Sequence, residues 1–364
     1  MNRYFLNPNA RDGHPLPQLF GACDFENINV EAPPTPLRRL TRLASANGLS
    51  DILLKDESER WGLNAFKILG VAYAIDRLLK EERVSRGSVV VCATEGNHGR
   101  AVARVAQRNG LEARVYMSRQ AVAARVSAIE QEGATVVIVE GNYDDAVRQS
   151  AIDAERNGWT IVSDTAWPGY EEIPRWIMAG YMRLLDEARS QWSPEPPPDV
   201  VLVQGGVGGL SCAVVSWLCH RYGSQRPFTI VCEPASAACH LESARAGAPV
   251  SLPGPFNTIM AGLRAGEVSS IAWPTIAAAA DAFVAIEDDI CVEAVRALAR
   301  PISDDPIVVA GPSGACGVGS LLAILGDETL QPLREAADLT ADSRVLAINT
   351  EGATDPELHD RIVA

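Results

Sequence analysis

After residue 87 the chain alternates short β-branched runs with amphipathic helical patterns, and no other feature restricts its fold as tightly. VVVCA is followed by RAVARVAQRNG, ARVYM by AVAARVSAIEQEG, TVVIVE by DDAVRQSAIDAERNG, and TIVSD closes the series. Continuous apolar runs suit strands covered on both faces, and a helix between successive runs returns the chain so that the strands lie parallel. Asn109-Gly110 and Asn157-Gly158 are the stops expected at helix C-termini. A second series begins at VVLVQ (200–204), passes through TIVCEP and ends in RVLAINTEG near the C-terminus. Between the two lies PEPPPD, residues 194–199, whose prolines mark a connection. The expectation is an α/β protein with two open parallel-sheet domains. A chain of 364 residues, 47% of them hydrophobic, can bury a core in each.

The charge balance narrows the partners. A formal net charge of -14 repels nucleic acid and anionic membrane alike. No apolar run reaches the roughly 18 residues of a membrane span. The start, MNRYFLNPNARDG, has neither the basic nor the apolar region of a signal peptide, so a cytoplasmic protein is expected. The eight cysteines form no C-x-x-C pair and sit mostly in apolar runs, which makes them buried thiols. The five histidines form no metal-binding pattern, and no metal site is expected.

Open parallel sheets bind ligands at the carboxyl ends of their strands. VVLVQ runs into GGVGGL (205–210) and then a helical pattern, so its backbone N–H groups and the helix N-terminus could cradle a phosphate. A ligand-free tight turn would look much the same. So would a dinucleotide fingerprint with Ser211 in place of its third glycine and Glu233 ending the next strand. VVVCA runs into TEGNHG, bringing Glu95, Asn97 and His98 to a strand end, where Asn97 and His98 also suit a simple turn. TIVSD places Asp164 at the end of its strand, as a reactive carboxylate or a cap. The last strand delivers Thr350 and Glu351.

One lysine is out of keeping with its surroundings. In GLNAFKILGVAYAIDRLLKEE, residues Ile68, Val71, Ala72, Ile75, Leu78 and Leu79 recur at helical spacing and face a core. With Asn64 as N-cap, Lys67 falls in the first turn, where unpaired N–H groups and the helix dipole favour a neutral, nucleophilic amine. The plainer alternative is a lysine that snorkels to solvent.

KDESERWGLNAFKILG, TEGNHGRAVA, SDTAWPGYEEIPRWIMAGYM, QGGVGGL, IMAGLRAGE and NTEGATDP occur in that order between about residues 35 and 356. Together they closely resemble segments of the diaminopropionate ammonia-lyase family, fold type II pyridoxal-phosphate enzymes related to threonine dehydratase and serine racemase. The resemblance implies a tryptophan synthase β-like fold with the active site between two α/β domains. It implies a large domain of residues 35–84 and 186–364, a small one of 85–185 and an N-terminal extension, 1–34. Lys67 would carry pyridoxal phosphate covalently, Asn97 would bond its phenolic oxygen, and Gly205, Gly206, Val207, Gly208 and Gly209 would cup the phosphate. Thr350 would meet the pyridine nitrogen.

The implied activity is elimination of ammonia from 2,3-diaminopropionate, giving pyruvate and a second ammonia, by a homodimeric enzyme with a small amino-acid substrate. Asp164 would be the base for the L-isomer. Glu95 stands where the family usually has aspartate, and with its extra methylene it either serves the D-isomer with altered geometry or signals a different β-substituent. The alternatives are a dehydratase of serine, threonine or another 3-substituted amino acid, a β-replacement synthase, and a cofactor-binding relative without turnover. The first two typically carry serine at the Glu95 position.

Overall fold

The computed structural model describes residues 3–12, 19–21, 23–26, 33–94, 96–119, 121, 123–141 and 143–364. Its strands, in chain order, are β1 (Arg3–Leu6), β2 (Leu37–Arg39), β3 (Asp51–Asp56), β4 (Val89–Ala93), β5 (Glu112–Ser118), β6 (Thr135–Val139), β7 (Thr160–Ile161), β8 (Val200–Gln204), β9 (Phe228–Pro234), β10 (Ala282–Ile286) and β11 (Arg344–Asn349). The helices that matter below are α1 (Ile68–Lys80), α2 (Asn97–Arg108), α3 (Glu172–Tyr181), α4 (Arg183–Trp192), α5 (Gly209–Tyr222), α6 (Cys239–Ala246) and α7 (Pro312–Gly326).

The chain forms two compact units: Met1–Gly21, Pro33–Ala65 and Leu184–Ala364 make one, and Ala22–Ala32 with Phe66–Arg183 the other. The larger is built on a seven-stranded sheet, ordered β1-β10-β9-β8-β11-β3-β2. Its five central strands run parallel, and β1 and β2 close the edges antiparallel. Every residue of β3, β8 and β10 is buried, as a sheet covered on both faces requires. The smaller unit holds the all-parallel sheet β6-β5-β4-β7.

The alternating runs therefore become parallel strands, and Gly110 and Gly158, at φ 68 each, end their helices as expected. Two expectations need correction. The units divide after Ala65, not after residue 84, because α1 packs against α3 of the smaller unit. Gly70 and Gly180 permit that crossing: a Cβ on Gly70 would lie 2.5 Å from the Ile177 carbonyl oxygen, and one on Gly180 2.6 Å from that of Leu69. GPSGACGVG (311–319) is helical from its second residue, with Pro312 at the start of α7. Its glycines serve contact: a Cβ on Gly314 would lie 2.2 Å from Asn349 Oδ1. Second, Asn64 does not cap α1. It sits in the left-handed region at φ 59, and Lys67 itself occupies the N-cap position. Among the described residues seven cysteines are free thiols, six of them buried.

Candidate functional site

The smaller unit gathers Lys67, Asn97, His98 and Asp164. Lys67 Nζ donates to Asp164 Oδ2 at 2.7 Å, with the two side chains 24% and 18% exposed. The Phe66 and Tyr181 rings lie 5.3 and 5.8 Å from the same nitrogen, measured to their centroids. The expectation of a neutral amine is reversed in this arrangement. Burial works against the ammonium, but attraction to Asp164 outweighs it and holds the lysine above its ordinary pKa. The helix end thus loses to one carboxylate in contact. For Asp164, burial favours the neutral acid, yet His98 and Lys67 together hold the carboxyl well below the usual carboxylate range.

Asp164 follows the two-residue strand β7, and the WPGY segment fixes it there. Gly169, at φ 86, allows the tight turn in which Tyr170 N–H donates to the Trp167 carbonyl at 2.8 Å. The Tyr170 and Trp167 rings stack at 4.2 Å. The Tyr170 hydroxyl accepts from Ser163 N–H at 2.8 Å and donates to the Ile161 carbonyl at 3.0 Å, tying down the residues just before Asp164.

Asn97 and His98 do not form a turn; they open α2. His98 Nε2 bonds the Val162 carbonyl at 2.8 Å, and its Nδ1 is 3.7 Å from Asp164 Oδ2. A Cβ on Gly99 would lie 2.4 Å from Thr94 Cγ2, so the helix begins hard against the strand end that carries this loop. Glu95 lies outside the described residues.

The larger unit holds the glycine turn. Gly205 N–H donates to the Cys232 carbonyl and Gly208 N–H to that of Gly205, while the amides of Gly206 and Val207 meet no acceptor among the described residues. Gly206 and Gly208 have φ of 59 and 105, and α5 starts at Gly209. Free amides beside a helix N-terminus fit a phosphate, and the back of the turn has no room for side chains: a Cβ on Gly205 would lie 2.8 Å from Glu233 Cγ, and one on Gly208 2.9 Å from His240 Cε1. The dinucleotide alternative fails at Glu233. That carboxylate is buried, and it accepts the His240 and Leu241 amides at 2.9 Å each, so it is not offered to a ribose.

Glu233, Cys239 and His240 form a tight buried group that no spacing pattern disclosed. Burial pushes Glu233 up to about 8 and His240 down to about 4, so both are neutral at neutral pH. Cys239 Sγ and His240 Nε2 both donate to the Gly206 carbonyl, at 3.4 and 3.0 Å.

Thr350 and Glu351 follow β11, both buried. A second element missed in the sequence supports them. Lys55, Glu57, Arg60 and Glu187 form a fully buried charge network: Arg60 bonds Glu57 at 2.7 Å and Glu187 at 2.6 Å, and Lys55 bonds Glu187 at 2.8 Å. Glu57 N–H donates to the Asn349 carbonyl at 2.9 Å, and Gly352 N–H to that of Asn64 at 2.9 Å. The network thereby holds the loop against which the Thr350 segment is fastened.

These parts define a fold type II α/β enzyme that uses pyridoxal phosphate. Residues 28–351 match the model of the pyridoxal-phosphate dependent enzymes, and the chain belongs to that family. Diaminopropionate ammonia-lyase of Escherichia coli (strain K12) is 40% identical over 346 residues, which cover 91% of this chain and 87% of that protein. Its counterpart in Salmonella typhimurium (strain LT2) is 39% identical over 355 residues, covering 90% and 87%. The crystal structure of the Escherichia coli enzyme in complex with an aminoacrylate-PLP azomethine reaction intermediate superposes with a TM-score of 0.91 at 37% identity, covering 100% of this chain and 97% of that one. Among the described residues no helix is long and apolar enough to cross a membrane.

Proposed function

We propose that this chain eliminates ammonia from 2,3-diaminopropionate, yielding pyruvate and a second ammonia, with the L-isomer favoured. The observation that carries the proposal is the 2.7 Å contact between Lys67 Nζ and Asp164 Oδ2, an amine and a proton acceptor already joined. Pyridoxal phosphate, when bound, supplies the electron sink that lets a Cα–H next to an amino group ionise. Lys67 is the residue that holds it covalently. Gly205, Gly206, Val207, Gly208 and Gly209 form the turn that takes its phosphate, with the uncommitted amides of Gly206 and Val207 as donors, while Asn97 takes its phenolic oxygen and Thr350 its ring nitrogen.

Asp164 is the proton acceptor. Paired with an ammonium it is a weak base, and an unprotonated Lys67 amine would remove one of the two groups that hold its carboxyl down, leaving His98, and so raise its proton affinity. Asp164 thus gains strength as a base when Lys67 gives up its charge. Glu95, one methylene longer than the aspartate usual in this position, serves the D-isomer with altered reach. The enzyme acts as a homodimer in the cytoplasm on a small amino acid.

The test is turnover of both enantiomers by wild type, Glu95→Asp and Asp164→Asn. Wild type should release about two ammonia per pyruvate, where a dehydratase of a 3-hydroxy amino acid would release about one. Asp164→Asn should lose about 10²- to 10⁴-fold in L-isomer turnover, the usual worth of a positioned base. Undiminished L-isomer turnover would remove Asp164 from the role, and a ratio near one would replace the substrate class.

A further inference from the structure

We propose that His240 is a positioning residue that holds the glycine turn in its phosphate-accepting conformation; the proposal rests on the assignment of Gly205–Gly209 as the phosphate cup. The His240 ring is fully buried directly behind the turn. Its Cδ2 lies 3.0 Å from where a Gly205 Cβ would be, and its Cε1 2.9 Å from where a Gly208 Cβ would be, so the ring and the two glycines fit only one another. Its Nε2 lies 3.0 Å from the Gly206 carbonyl oxygen. A carbonyl only accepts, so Nε2 carries the hydrogen.

That bond sets the direction of an amide. In a planar trans peptide the C=O of Gly206 and the N–H of Val207 point to opposite sides. Drawing the carbonyl toward His240 therefore turns the Val207 N–H away from the protein interior behind the turn, and that N–H meets no acceptor among the described residues. Gly206 adopts φ 59, which glycine takes without strain, so no side chain of its own fixes the peptide that follows. His240 is itself fixed, because Glu233 takes its backbone N–H and that of Leu241 at 2.9 Å each. A neutral ring suits this position, since an imidazolium there would place a buried charge with no carboxylate on its Nδ1, which has no partner among the described residues.

The experiment measures equilibrium binding of pyridoxal phosphate and of pyridoxal, which lacks the phosphate, to the apoprotein of wild type and of His240→Leu, His240→Gln, His240→Asn and Gly206→Ala. The expected result is that His240→Leu weakens pyridoxal phosphate about tenfold while pyridoxal binding is unchanged, the size of effect associated with one directed hydrogen bond. His240→Gln, whose amide can reach the same carbonyl, should recover most of the preference, and the shorter His240→Asn should not. If His240→Leu fails to fold, the Gln-against-Asn contrast decides by the same ratio. An unchanged preference for the phosphorylated ligand in His240→Leu, or equal losses for both ligands, overturns the proposal. In that event Gly206→Ala tells the two levels apart: loss of preference there leaves the phosphate cup standing without His240, and a retained preference removes the cup as well.

Discussion

The Lys67–Asp164 pair is partly buried and the Glu233–His240 pair fully buried, and the two resolve the loss of water in opposite ways. Lys67 and Asp164 stay charged, because each is the countercharge of the other at 2.7 Å. Glu233 and His240 become neutral: the glutamate meets backbone amides and the histidine a carbonyl, neither of which replaces a counterion. Burial removes charge unless an opposite charge is in contact. The difference also separates two roles. On the proposed reading, the site that would move a proton keeps an ion pair, and the site that would receive a doubly charged phosphate keeps its lining free of fixed negative charge.

The Lys55–Glu57–Arg60–Glu187 network is the extreme of the first kind, and removing its centre gives the largest effect. Arg60→Met keeps volume but leaves Glu57 and Glu187 without their main counterion, and breaking such a buried group costs about 3–5 kcal/mol. Denaturant titration checks this. A loss below about 1 kcal/mol would mean that contact between opposite charges is not what sustains charge in this interior.

Asp164→Asn comes next, at about 1–3 kcal/mol in the apoprotein, for one charge-assisted hydrogen bond. Its cost should not vary with pH through the neutral range. Asp164 has a depressed pKa, so its contribution is present above the unfolded value near 3.9 and lost only as pH falls through the folded one. Lys67 has a raised pKa, so its contribution is present below the unfolded value near 10.4 and lost as pH rises through the folded one. Melting temperatures of variant and wild type measured between about pH 5 and 9 should therefore keep a constant gap.

Glu233→Gln is the smallest effect at acidic pH and has the opposite signature. Folded Glu233 keeps its proton up to about 8, whereas the unfolded side chain ionises near 4.3, so wild-type stability falls as pH rises between those values. Glutamine removes that slope. The melting temperature of the variant minus that of wild type should climb from about pH 5 to 8, and a flat difference would show that Glu233 is ionised in the fold.

The distribution of these groups explains what could be read from the chain in advance. Strand runs such as VVVCA and VVLVQ, the loops after them, and Lys67 at the head of α1 are local patterns, and they stand where periodicity put them. The partners of those residues are not local. Lys67 meets Asp164 across 97 positions and Arg60 meets Glu187 across 127, and no spacing rule connects them. The neutral lysine expected from a helix end is wrong for that reason: the dipole is local, and the carboxylate that outweighs it is not. Asn64 misleads for a related reason, since asparagine suits both an N-cap and the left-handed region it occupies. His240 carries one available signal, its place seven residues after a strand-ending glutamate, but nothing in the chain shows a ring lying behind two glycines.

The most direct measurement is reduction of the pyridoxal-phosphate-loaded enzyme with borohydride, followed by peptide mapping. The cofactor should be found on the peptide bearing Lys67, and Lys67→Ala should trap none. A label on any other amine, or the same label in Lys67→Ala, would contradict the assignment of Lys67 and of the proton acceptor joined to it.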